Sequence, residues 1–119
     1  MSPKARPTHF LPLAPLDFQV LTLLADRELH GYAIIEAANH AFPGQPVLEI
    51  GSLYRIIARM LDQKLLREVR APAGRDTDQR VRRFYSTTEL GRSVVRAEAD
   101  RLRALLASPA TLRLLRVDR

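Results

Sequence analysis

Apolar side chains recur along this chain at helical spacing, and the clearest pattern covers residues 52–63. Apolar residues there follow positions i, i+3, i+4, i+7 and i+8, namely Leu53, Ile56, Ile57, Met60 and Leu61. The opposite face is polar and carries Ser52, Arg55, Arg59 and Asp62, with Tyr54 at the border between the two faces. This pattern predicts an amphipathic helix whose apolar face lies in a core and whose arginines point outward.

Two shorter helices are predicted before this one. Pro15 is a good first helical position, and the mostly apolar residues 16–25 predict about three turns of packed helix. Gly31 opens a second helix over residues 32–41, with Tyr32 and three smaller apolar residues expected in the core: Ile34, Ile35 and Ala38.

The segments around these helices are polar or rich in proline. Residues 1–14 contain three prolines and are predicted to form an extended arm. Residues 26–30 form a polar break, in which His30 is expected to cap the second helix or to be a buried hydrogen-bond partner. Residues 42–49 form a loop.

After the third helix the pattern changes to two short extended segments, residues 65–71 and 81–87. The nine residues between them are rich in Pro, Gly, Asp and Thr, which predicts a hairpin loop. Thr87 or Thr88 then caps a long helix beginning near Glu89, an acidic first-turn residue suited to the helix dipole.

This last helix has an apolar stripe that the remaining chain is too short to cover: Val95, Ala99, Leu102 and Leu106. The stripe predicts pairing with a second copy of the chain as a two-fold homodimer. Ser108 and Pro109 are typical of a new helix start and predict a kink or restart into residues 111–117.

The order helix, helix, helix, hairpin, long helix is the plan of a winged helix-turn-helix. The predicted fold is mainly α with a small β-hairpin, as a winged helix-turn-helix with a long C-terminal dimerisation helix. The 119 residues suffice for one compact domain. We divide them into an N-terminal arm (1–14), a DNA-binding winged helix-turn-helix (15–88) and the dimerisation helix (89–119).

The charge of the chain favours a polyanionic partner for its second half. Residues 1–50 hold three basic and five acidic groups, whereas residues 51–119 hold 16 and eight. In a winged helix the third helix enters the major groove, where Ser52 would bind phosphate, Arg55 guanine, and Arg59 either base or backbone. The hairpin adds cations suited to phosphate contact: Arg75, Arg80, Arg82 and Arg83.

Several classes of protein are excluded by composition. The chain has no cysteine, so it has no disulfide framework and no thiolate nucleophile, as is usual for a protein of the reducing cytoplasm. No apolar run approaches the ~18 residues of a membrane span. The three histidines share no metal-ligand spacing, and neither a catalytic triad nor a phosphate loop is recognisable. We therefore expect no enzyme, no cofactor and no metal.

Five short motifs occur in order along residues 16–105: Leu23-Leu24-Ala25, Leu29-His30-Gly31-Tyr32, Gly51-Ser52-Leu53-Tyr54-Arg55, Arg82-Arg83-Phe84-Tyr85 and Thr88-Glu89-Leu90-Gly91. Together they resemble the PadR family of bacterial transcriptional regulators. The resemblance implies a homodimer that binds near-palindromic operators, usually as a repressor, with residues 51–54 at the start of the recognition helix. It also implies, as in some members, release of DNA by a small aromatic or planar effector.

The chain departs from the family pattern at three points. Lys64 stands where a turn glycine is usual, which predicts a different end to the third helix. Thr87 replaces an apolar residue, which predicts weaker packing at that end of the wing. The chain has no tryptophan, so the stacking pocket that some members form at the dimer interface is not expected here.

Two other functions fit the same sequence. The first is a protein–protein adaptor built on the winged-helix scaffold, whose basic face binds an acidic partner, because the fold supports both uses. The second is a small-molecule sensor with a site in the dimer cleft, which is compatible with DNA binding.

Tyr54 could equally pack at the helix border or stack on a base or ligand.

Overall fold

The computed structural model describes residues 6–70 and 83–116. Within these residues a short 3-10 helix at Pro7–Phe10 is followed by five α-helices: α1 (Pro15–Asp26), α2 (Gly31–Ala41), α3 (Ile50–Asp62), α4 (Glu89–Leu106) and α5 (Pro109–Arg116). Three short strands, β1 (Leu29–His30), β2 (Leu66–Val69) and β3 (Phe84–Thr87), form an antiparallel sheet in the order β1-β3-β2. This is the predicted helical fold with a wing.

The central strand of the sheet is β3, and all four of its residues are buried. The predicted hairpin is confirmed as β2 and β3, with Leu66 opposite Thr87 and Val69 opposite Phe84. The segment predicted as a polar break contributes the third strand, because Leu29 and His30 pair with the other edge of β3. Two residues are too few to show an alternating pattern, yet they hydrogen-bond the backbone of a strand edge that would otherwise be unpaired.

The core lies between α1, α2, α3, α4 and the sheet. Its fully buried apolar side chains come from four helices: Val20, Leu21 and Leu24 from α1, Ile34 from α2, Leu53 and Met60 from α3, and Val94 from α4. The predicted apolar stripes of the first three helices therefore do face one core.

Tyr32 is an exception to the predicted core, because 67% of it is exposed. Helical geometry gives the reason. The buried face of α2 is set by Gly31, Ile34 and Ala38, and Tyr32 lies about 200° around the helix from Ile34. The prediction that Tyr32 packs in the core is wrong.

The predicted extended arm is also wrong in its described part. Pro7–Phe10 forms a 3-10 helix, and the apolar side chains of Phe10, Leu11 and Leu13 pack against the core. The amide of Leu13 donates a 2.8 Å hydrogen bond to Glu98 Oε2 on α4. Residues 7–14 are therefore a packed part of the domain, since their apolar side chains cover α4.

Local capping signals in the sequence are confirmed. His30 Nδ1 accepts from the Ala33 amide at 3.4 Å, and its ring lies edge-on to Phe84, 5.3 Å between centroids. Thr88 caps α4 by accepting from the Gly91 amide at 3.0 Å. Ser108 accepts from the Thr111 amide at 3.3 Å, where α5 restarts.

The other capping candidate, Thr87, has a different role. It is 3% exposed, and its hydroxyl donates a 3.0 Å hydrogen bond to the carbonyl of Leu21. The polar atom that this residue brings into the wing is therefore satisfied by the backbone of α1.

Helix α3 ends in a turn of the kind that glycine favours. Lys64 has a φ of 64°, and the amides of Lys64 and Leu65 donate to the carbonyls of Leu61 (3.2 Å) and Met60 (2.9 Å). This is the Schellman pattern of helix termination. The expectation of a different helix end is wrong, because the lysine adopts the left-handed conformation itself.

The start of α4 lies directly against this turn. A β-carbon on Gly91 would come within 2.2 Å of the Leu65 carbonyl oxygen, so a side chain at this position could not be accommodated. The Thr88 amide also donates to this carbonyl at 3.0 Å. The contact fixes α4 relative to α3 and the wing.

Candidate nucleic-acid interface

Helix α3 has one buried face and one polar face, as its sequence predicts. Leu53 and Met60 are fully buried, and Ile56 and Ile57 are 8% and 2% exposed. On the opposite side, Arg55 and Arg59 are exposed and Ser52 is half-buried. We call Ser52, Arg55 and Arg59 the outer face of α3.

The first two residues of the outer face contact each other. Arg55 Nη2 donates to Ser52 Oγ at 3.2 Å, one turn apart on the helix. The hydroxyl therefore supports the guanidinium near the beginning of α3, where a planar donor fork could recognise a base edge or a phosphate.

The third residue of the outer face, Arg59, is paired with α1. Its Nη2 lies 2.9 Å from Asp17 Oδ1, and the hydrogen bond raises the pKa of the guanidinium against the opposing effect of burial. Asp17 was not among the site residues suggested by sequence, because its partner lies 42 residues away. Its sequence signal was that of an acidic residue in the first turn of a helix.

Tyr54 lies at the edge of this face, where α2 begins. It is 47% exposed, and its ring passes close to Gly31. One part of the Tyr54 ring is covered by α2 and the rest is accessible. Both alternatives therefore stay open: packing at the helix border and stacking on a base or ligand.

The wing contributes one described cation of the four that sequence suggested. Arg83 is 72% exposed in its side chain and pairs with Glu68 across the hairpin at 3.5 Å. Arg75, Arg80 and Arg82 lie outside the described residues. Burial raises the pKa of Tyr85 on β3, and the nearby ionisable groups of Glu68 and Tyr54 raise it further.

The predicted dimer stripe is divided along α4. Val95 is only 9% exposed and belongs to the core of its own chain, while Ala99 and Leu102 are half-buried and Leu106 is 58% exposed. Sequence reasoning missed four further exposed leucines, Leu105, Leu112, Leu114 and Leu115. Their signal was the amphipathic pattern of the restarted helix α5. Together with Leu106 we call them the C-terminal apolar surface.

A cavity of about 400 Å³ lies between α1, α4 and the loop after α2. Phe18 and Phe42 line it from one side, and Arg101 and Leu102 line it from α4. Glu98, which is 2% exposed, accepts from Arg101 Nη2 at 3.1 Å and from the Leu13 amide. The hydrogen bond from Arg101, assisted by that from Leu13, lowers the pKa of this glutamate in spite of its burial.

In the part of the chain that the structure describes, no group of acidic or histidine side chains could hold a metal ion. Over the same residues no helix combines the length and apolar character that crossing a bilayer requires.

Solved structures of known proteins share this fold. A PadR family regulator from Eggerthella lenta DSM 2243 is 28% identical over 84% of this chain and 80% of its own, with a TM-score of 0.63. A PadR family regulator from hypervirulent Clostridium difficile is 17% identical over 77% and 91% of the two chains, with a TM-score of 0.64.

A third structure is that of Bacillus subtilis PadR in complex with operator DNA. It is 20% identical, with a TM-score of 0.58, over 76% of this chain and 48% of that one, so the match covers about half of that protein. No curated protein matches the sequence significantly.

The sequence itself carries the family pattern. The sequence model of the transcriptional regulator PadR-like family matches residues 20–97, which run from α1 to α4 and cover more than half of the chain. The sequence match, the winged-helix fold and the structural likenesses agree, and the chain belongs to the PadR-like family of transcriptional regulators.

Proposed function

We propose that the protein is a homodimeric repressor that binds a near-palindromic operator through α3 and the wing. The observation that carries this proposal is the division of α3 into a buried apolar face and an accessible face bearing Ser52 and Arg55. The related Bacillus subtilis PadR was solved with operator DNA, which supports the same use of the fold here. Binding chromosomal DNA would place the protein in the cytoplasm.

In this proposal Arg55 reads a base. Ser52 lies nearest the beginning of α3 and is suited to a phosphate, while Arg55 lies one turn further and can form a two-pronged contact with guanine O6 and N7. Tyr54 is half-exposed beside this face, and we propose that it also contacts the DNA backbone. Arg59 shares the face and is paired with Asp17.

The wing supplies sequence-independent affinity. Arg83 is exposed immediately before β3, and its partner Glu68 is itself about half exposed, so exchange of that carboxylate for a phosphate is inexpensive. Arg75, Arg80 and Arg82 are proposed to extend this contact along the DNA backbone. Each phosphate neutralised steepens the salt dependence of binding.

Dimerisation is proposed to bury the C-terminal apolar surface. Five leucines with exposures from 44% to 71% lie on the last turn of α4 and on α5. Apolar side chains gathered at one end of a small domain are typical of an interface. A two-fold pair of recognition helices would then match a near-palindromic operator.

We further propose that a small aromatic effector binds in the cavity between α1 and α4. The two phenylalanine rings offer stacking surfaces, and Leu102 on α4 adds a further apolar side chain to the lining. Because Leu13, α1 and α4 all border this cavity, an occupant could alter the position of α4 relative to the DNA-binding elements and so release the operator.

The test is to select binding sites from a random duplex library with the full-length protein and to measure affinity for single-base variants. Arg55→Ala should cost about 1–3 kcal/mol and relax preference at one base pair per half-site. Arg55→Lys is the matched control, since it keeps the charge but not the planar fork. It should retain the salt dependence and lose the base preference.

Two results would contradict the proposal. If Arg55→Ala weakened binding equally to every variant, Arg55 would be a phosphate contact only. If the intact protein bound duplex DNA without salt dependence, the adaptor function would be favoured, with an acidic protein as the partner of the basic face.

A further inference from the structure

The ion pair between Asp17 and Arg59 joins the first turn of α1 to the outer face of α3. The Arg59 Nη2 to Asp17 Oδ1 distance is 2.9 Å, and the two residues are 42 positions apart in sequence. The Asp17 side chain is 10% exposed, whereas that of Arg59 is 48% exposed. The carboxylate is thus fixed inside the protein, and the guanidinium lies at the surface.

Asp17 is held in place independently of DNA. It lies two residues after Pro15 in the first turn of α1, where the positive end of the helix dipole stabilises a carboxylate. The pKa of Arg59 is raised mainly by its hydrogen bond to Asp17, so the pair favours the charged guanidinium. A short charge-assisted contact of this kind cancels most of the charge that Arg59 would otherwise present to a polyanion.

We propose that Asp17 is a positioning residue for DNA binding, which holds the guanidinium of Arg59 against α1 and withholds its charge from the DNA backbone. The inference rests on the proposed DNA-binding function. Arg59 lies one turn after Arg55 on the outer face, so a released Arg59 would be available to phosphates on any sequence.

Holding Arg59 against α1 limits the part of the DNA affinity that does not depend on DNA sequence. A phosphate contact strengthens binding to operator and non-operator duplexes alike, and non-operator sites are far more numerous in a genome. With Arg59 tied to Asp17, the polar face of α3 presents chiefly Ser52 and Arg55 near the beginning of the helix. Asp17 then decides which arginine of α3 meets DNA.

The experiment compares the full-length protein with Asp17→Asn on a selected duplex and on a shuffled duplex over a range of salt. Asp17→Asn keeps an oxygen that can accept from Arg59 but removes the charge. The slope of log K against log salt should steepen by about 0.9 on both duplexes, the effect of one added phosphate contact. Affinity for the shuffled duplex should rise about five- to tenfold at 0.1 M salt.

Two further variants separate this effect from a general change in charge. Asp26→Asn makes the same change of charge at an exposed residue at the other end of α1, and it should leave the slope unchanged. Arg59→Ala should leave the wild-type slope unchanged, and Asp17→Asn combined with Arg59→Ala should return to the wild-type slope. In thermal melts, Arg59→Ala should lower Tm in the wild-type background more than in the Asp17→Asn background.

The outcomes distinguish this inference from the proposed function. If the wild-type protein binds DNA but Asp17→Asn leaves its slope unchanged, the inference alone is overturned. It is also overturned if Arg59→Ala in the wild-type protein reduces the slope of log K against log salt by the equivalent of one phosphate contact. Equal decreases in Tm on Arg59→Ala in the wild-type and Asp17→Asn backgrounds would overturn it as well. A wild-type protein without salt-dependent DNA binding overturns the proposed function, and this inference with it.

Discussion

The ring of Tyr54 in α3 lies so close to Gly31 in α2 that a β-carbon on that glycine would come within 2.6 Å of the tyrosine hydroxyl oxygen. The next nearest ring atom, Cζ, would be 3.1 Å away. A side chain at the start of α2 would therefore require the half-exposed ring of Tyr54 in α3 to move. The contact sets how closely the two helices of the helix-turn-helix approach each other.

This relationship predicts coupling between the two positions. Gly31→Ala should destabilise the protein by about 1 kcal/mol, the lower end of what overpacking costs, because the inserted methyl group displaces the half-exposed ring of Tyr54. Tyr54→Phe removes the oxygen that clashes, so the double variant should cost less than the sum of the two single changes. Urea denaturation of the four proteins measures the coupling. Strict additivity would mean that Tyr54 does not rest on Gly31 in solution.

The left-handed conformation of Lys64 predicts that glycine at this position would stabilise the protein. A residue with a β-carbon in the left-handed conformation costs about 1–2 kcal/mol, part of which glycine recovers despite its greater freedom in the unfolded chain. Lys64→Gly should therefore raise the free energy of unfolding by about 0.5–1 kcal/mol. Lys64→Ala is the matched control, since it removes the same amine but keeps the β-carbon. Equal stabilities of the two variants would contradict the explanation by strain.

Glu98 predicts a pH dependence of stability. Its pKa is lowered in the folded protein, first by the hydrogen bond from Arg101, so the native state binds its proton less readily than the unfolded chain does. Its contribution is therefore present above the ordinary glutamate pKa of 4.5 and is lost as pH falls through the lower folded value.

Glu98→Gln should lose about 1.5–3 kcal/mol at pH 7, because charged hydrogen bonds are replaced by neutral ones. The difference from the wild-type protein should shrink as the pH is lowered below about 4.5. Denaturation at several pH values measures it, with Glu36→Gln on the exposed side of α2 as the control. A difference that stays constant down to acid pH would show that the charge of Glu98 is unimportant.

The C-terminal apolar surface predicts a variant that changes assembly and leaves the fold intact. Leu106 is 58% exposed within one chain, so Leu106→Glu should not disturb the core. In a dimer it would place an unpaired carboxylate in an apolar interface, and the dimer should dissociate. Light scattering after size exclusion measures the mass. Val47→Glu, at a residue that is 72% exposed before α3, is the control and should leave the mass unchanged.

A single-chain mass for the wild-type protein at micromolar concentration would contradict the dimer itself. A Leu106→Glu variant that remains dimeric would instead move the interface away from this surface. The half-buried Leu102 would then be the next position to test.

Local chemistry in the sequence determined much of this fold. The apolar spacing at Leu53, Ile57 and Met60 fixed which face of α3 is buried, because a helix repeats every 3.6 residues whatever surrounds it. Capping by Thr88 and Ser108 was likewise predictable, since the hydroxyl and the amide that it binds are three residues apart. The polar outer face of α3 follows from the same period.

The tertiary structure alone decided the features that depend on residues far apart in the chain. The strand at Leu29–His30 exists because β3 offers an edge more than 50 residues later, and residues 7–14 are ordered because α4 offers a surface to cover. The pairing of Asp17 with Arg59 has no local signal for the same reason. Side-chain periodicity reports which way a residue faces, whereas only packing decides what it meets there.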